Sequence, residues 1–168
     1  MDILKTATEW AKAESFSSAF FVIFGLALLF ISLGFWQMGK TDLAKAYVIP
    51  TLVAGTLLLI LGIGLLIPNQ MRLASFPEAY NIDASAFVSA ELGRVNKTLR
   101  DYKIAVFLLF PMIIAACSIL VLFFNAPIWR AGLITAIAML VLIMIVDTNA
   151  NARLEIYKAK LHEAMQRS

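Results

Sequence analysis

Asp147 directly follows the apolar run Ala131–Val146, and Asn149 and Asn151 stand beside it. A carboxylate at the edge of hydrocarbon is costly and marks an ion pair, a pore or a proton relay. Three chemistries fit this cluster. Asp147 could pair with Lys103 or Arg100, which reach the same depth on the preceding span. Asp147, Asn149 and Asn151 could form a polar belt at the inner mouth of a pore, or Asp147 could hold a proton or cation. Asp147 and Asn151 are also one helical turn apart, a spacing that could fix the register between helices.

Other chemistry is excluded more firmly. His162 is the only histidine and Cys117 the only cysteine. No multi-His or multi-Cys metal site and no internal disulfide can form from them. There is no Gly-x-Ser-x-Gly, no His-Glu-x-x-His, no pair of intramembrane aspartates and no phosphate-cradling glycine loop, so a non-enzymatic protein without cofactor or metal is expected.

The elements that must position these residues are set by where charge is missing. No ionisable side chain apart from the phenol of Tyr47 and the thiol of Cys117 occurs in Ser15–Gly39, Ala46–Met71 or Ile104–Trp129, and Ala131–Val146 is a fourth, shorter interval. About 20 apolar residues cross a bilayer as helix, and lipid offers no partner for unpaired backbone groups, so continuous runs of this kind must be helical. The expected fold is all-α, a polytopic membrane protein. Its spans are 16–39, 46–68, 104–124 and 127–149, with the first retained rather than cleaved as a signal peptide.

Charge also predicts the sidedness. Of the 14 Lys and Arg residues, 11 lie in the N-terminal segment, the central connection and the tail, and three, Lys40, Lys45 and Arg130, lie in the two hairpin loops. Excess Lys and Arg stays cytoplasmic, which places both termini inside and the two hairpins outside. The expected location is a bacterial cytoplasmic membrane. The net charge of +3 is then an orientation signal and no nucleic-acid partner is expected. Trp36, Tyr47 and Trp129 fall at outer ends and Trp10 at an inner one, as interfacial anchors do.

Residues 1–15 read as an interfacial amphipathic helix, with Ser15 as the N-cap of the first span. The connection 69–103 starts irregularly through Pro68, Asn69 and Phe76-Pro77, and Asp83 has N-cap chemistry. From there Val88, Leu92, Val95, Leu99 and Tyr102 recur at four and three, a heptad seam that runs into the third span with a kink expected at Pro111. Leu154, Tyr157, Leu161 and Ala164 repeat the device in the tail, 150–168. Spans three and four should therefore extend into the cytoplasm as an antiparallel helical pair. Gly132-x-x-x-Ala136 is read as close packing within the chain.

These features predict a structural or accessory subunit of a membrane complex, held in the lipid bilayer and self-associating or docking on a larger assembly. The alternative is a homo-oligomeric channel for ions or small solutes with the Asp147 and Asn151 belt at its mouth.

Overall fold

Four long apolar runs become four long helices in the computed structural model, which describes residues 3–167. Met1, Asp2 and Ser168, at the ends of the expected interfacial helix and tail, lie outside the described residues, as does the side chain of Arg167. Helix α1 spans Ile3–Met38, α2 Asp42–Ala46, α3 Val48–Ile82, α4 Ala84–Ile104, α5 Phe110–Phe123 and α6 Pro127–Arg167. A π-helical turn, Ala105–Leu109, joins α4 to α5. Four helical stretches are long and apolar enough to cross a membrane: Ile3–Met38, Asp42–Ile82, Ala84–Phe123 and Pro127–Gln166. At about 1.5 Å per residue each exceeds the roughly 30 Å of bilayer hydrocarbon, so each carries a surplus beyond it.

Three local expectations change. Ser15 caps nothing: it is buried inside the continuous α1, because no breaker separates the polar lead-in from the span. The lead-in does not present its apolar face outward either, since Ile3, Ala7, Trp10 and Ala11 are buried in a core shared with α3, α4 and α6. The connection around Pro68 and Pro77 is helical, as both prolines lie inside α3. Each removes one backbone hydrogen bond, and burial of the adjacent Asn69 and Phe76 holds the turn around it.

Asp83 does cap α4, its carboxylate accepting from the Ser85 and Ala86 amides at 2.9 Å each. The irregularity expected at Pro111 is the π-helical turn just before it. Pro111 lacks the amide that would bond Phe107, and the wider turn absorbs that missing bond.

Packing is uneven along the bundle. The larger core holds Val88, Val95 and Leu99 of α4 and Leu154, Tyr157 and Leu161 of α6, so the two seams share one interior with the start of α1 and with Phe76. A smaller core within the apolar stretches is built on Phe21, Leu58 and Ile143. Helices α1 and α3 meet backbone to backbone. A methyl group at Gly25 would lie 2.9 Å from the Gly55 carbonyl oxygen, and one at Gly55 equally close to that of Gly25. Ser32 ties the same pair near its far end by donating to the Val48 carbonyl at 2.8 Å. Gly132 behaves oppositely: nothing lies within 4 Å of a methyl group placed there, so its spacing with Ala136 makes no tight contact inside the chain.

Candidate functional site: a polar junction at one end of the bundle

The side chains with chemistry gather where α1, α3, α4 and α6 leave their apolar stretches. Glu91, in the second turn of α4 and beside its apolar seam, is buried. Such a carboxylate needs partners, and it has two. Arg94, one turn on, donates from Nε and Nη2 to its two oxygens at 2.9 and 2.6 Å. The Tyr157 hydroxyl donates to Oε2 at 3.0 Å from across the interface with α6. Burial, and then the Glu91 charge, push the Tyr157 phenol well above its ordinary range. It therefore acts here as a neutral donor.

Trp10 closes the group from α1. Its ring stacks on Tyr157 with centroids 5.2 Å apart and planes 8° from parallel. The Arg94 guanidinium lies 4.4 Å from the centroid of the same ring, within cation–π range. The indole Nε1 is buried and has no hydrogen-bond partner among the described residues. A second ion pair joins α1 to α6, where Arg153 Nη2 donates to Glu14 at 3.2 Å and to Ser17 Oγ at 2.7 Å.

Between these pairs lies a cavity of about 170 Å³ whose walls include Trp10, Glu14, Asn69, Arg72, Arg94 and Thr98. Arg72 donates from Nη1 to the buried Asn69 Oδ1 at 2.6 Å. Among the described residues the ion pairs are Glu91–Arg94 and Glu14–Arg153, which leaves Arg72 without a carboxylate partner. Burial and the neighbouring Arg94 lower the pKa of its guanidinium.

The residues singled out by sequence are dispersed. Asp147 is half-buried and forms no salt bridge with Lys103 or Arg100, both of which are exposed. Both cations face away from it on α4, and the acid that bears on Asp147 is Glu14 of α1. Asn151 is half-buried with its Oδ1 unpartnered. Asn149 points elsewhere, exposed, with one amide hydrogen donated to the Ile145 carbonyl at 2.8 Å. Trp36 and Trp129 are largely exposed and Tyr47 half-buried, whereas Trp10 is a core residue. Among the described residues no group of His, Cys, Asp and Glu could hold a metal ion.

Sequence reasoning missed Glu14, Arg72, Glu91, Arg94 and Arg153 as a group. One signal was present: Tyr157 sits in an apolar seam, and a buried phenol needs an acceptor. Compared with protein-family models, curated proteins and solved structures, this chain matches nothing.

Proposed function

We propose that this chain is a non-enzymatic integral membrane subunit, with both termini cytoplasmic, that self-associates through the face formed by α5 and α6. The observation that carries the reading is that α5 has no buried residue. Beside it runs an apolar groove of about 660 Å³, walled by Pro111, Ile114 and Ala115 of α5 and by Val141, Met144 and Ile145 of α6. Thr148 and Asn149 close one end of the groove. Lipid chains could cover the apolar part, but they offer nothing to the rest of the Asn149 carboxamide. A polar side chain at such a face is satisfied by another helix, and in a second copy the same residue supplies both donor and acceptor. The open surface at Gly132 adds room for close approach on α6.

The test is the mass of the detergent-purified protein, with the detergent contribution subtracted, together with conductance in planar bilayers. The expected results are an oligomer, its conversion to monomer by Asn149→Leu, and no conductance. A monomeric wild type overturns the proposal. Selective current abolished by Asp147→Ala also overturns it, in favour of the channel.

A further inference from the structure

The cavity at the polar junction contains an unusual combination. Arg72 is partly buried, forms no ion pair among the described residues and spends one donor on Asn69, while Glu91 and Glu14 act on it only from beyond ion-pair distance. A guanidinium has five N–H donors, and desolvating it without an anion is expensive. Trp10 of α1 lines the same cavity, and its indole N–H is buried with no acceptor among the described residues. Two donors short of acceptors, one from α1 and one from α3, suit an anion with several oxygens. Leu65 and Pro68, from the end of the uncharged run of α3, form another part of the wall. The site therefore lies where hydrocarbon gives way to polar surface, the depth of lipid headgroups.

We propose that this cavity binds a phosphate-bearing anion, with Arg72 as its principal contact and the Trp10 indole N–H as a second donor. Arg fits phosphate because its planar fork can donate two parallel hydrogen bonds. Arg94 is held by Glu91 through Nε and Nη2, so it contributes charge and its remaining donors. The one carboxylate on the wall, Glu14, is tied to Arg153, and its side of the cavity repels phosphate, which sets the anion toward Arg72. Arg72 and Arg94 both keep some exposure, so the anion can reach them. This assignment does not depend on whether the chain self-associates.

The shared chemistry, a phosphate group, could come from a phospholipid or from solution. Full-length protein in detergent should be examined by native mass spectrometry with dioleoylphosphatidic acid, dioleoylphosphatidylglycerol or dioleoylphosphatidylcholine, and by calorimetry with inorganic phosphate. The expected result is one bound anionic phospholipid per chain, weakened at least about tenfold by Arg72→Gln and unchanged by Arg100→Gln, which removes the same charge from an exposed position. Inorganic phosphate binding with the same Arg72 dependence assigns the site to the anion alone, while lipid binding without it assigns the site to a headgroup. If the Gln variant does not fold, Arg72→Lys replaces it and should weaken binding at least about threefold through loss of the fork. The proposal is overturned if wild type binds none of the probes, if the Arg72 variant binds as wild type does, or if Arg100→Gln loses as much.

Discussion

Tyr157 reaches Glu91 with its hydroxyl and Trp10 with its ring, so one side chain joins three helices. Its hydroxyl meets a buried charged acceptor, the class of hydrogen bond worth about 1.5–3 kcal/mol. Tyr157→Phe keeps the stack and removes the bond. It should lower stability by about that amount, measured as a shift in the unfolding transition of the detergent-solubilised protein. Because the phenol is pushed up from its ordinary value of 10.0, the folded protein keeps it neutral where the unfolded chain would ionise. Its contribution is complete below pH 10 and declines as pH rises beyond it. Wild type should therefore lose stability in that alkaline range more steeply than Tyr157→Phe. Neither this bond nor the Arg153–Glu14 pair was visible in the spacing of residues, since the partners are 66 and 139 positions apart.

At the scale of elements, the contact between α1 and α3 depends on the absence of side chains. Gly25→Val places carbon against the backbone of α3 and must push the helices apart, whereas Gly64→Ala enters open space. The first should cost about 1–3 kcal/mol as overpacking and the second nothing, or a small gain in helix propensity. Thermal unfolding of the two variants side by side checks this. Asp83 offers a pH-dependent counterpart, because its hydrogen bonds from the Ala86 amide and then from Ser85 depress its pKa below 3.8. The stabilisation from a depressed carboxylate is present above pH 3.8 and is lost as pH falls through the lowered value. Asp83→Asn keeps a capping side chain and should flatten that acid limb, seen as a smaller loss of helical circular dichroism between neutral and acidic pH. The cap and both seams were legible because each is a local pattern: one acceptor before a helix, and apolar residues at four and three. The helicity through Pro68 and Pro77 was not, since local breakers were overridden by burial of the neighbouring Asn69 and Phe76. The partner of Asp147 was not legible either, because depth along an antiparallel helix says nothing about its rotation.

For the whole molecule, the sequence settled that the chain is helical and carries four membrane-length apolar helices, and left their lateral arrangement to packing. The larger core lies beyond the apolar intervals, in segments that each look only modestly amphipathic. Their shared burial could not be read from any one of them. The charge asymmetry predicts that tags on the two ends are accessible from the same side of the membrane. Protease digestion of sealed vesicles of known orientation checks this, and tags cut from opposite sides would reverse the reading.

The π-helical turn before Pro111 links the well-packed α4 to an α5 that no other helix encloses. A change in bilayer thickness is met most cheaply by tilting the span with the fewest contacts to lose. With no buried residue, α5 has the least packing to lose, and the π-helical turn is the place where a tilt would be taken up. Lipid composition would then reset the slope of one rod while leaving the arginine-lined end of the protein undisturbed.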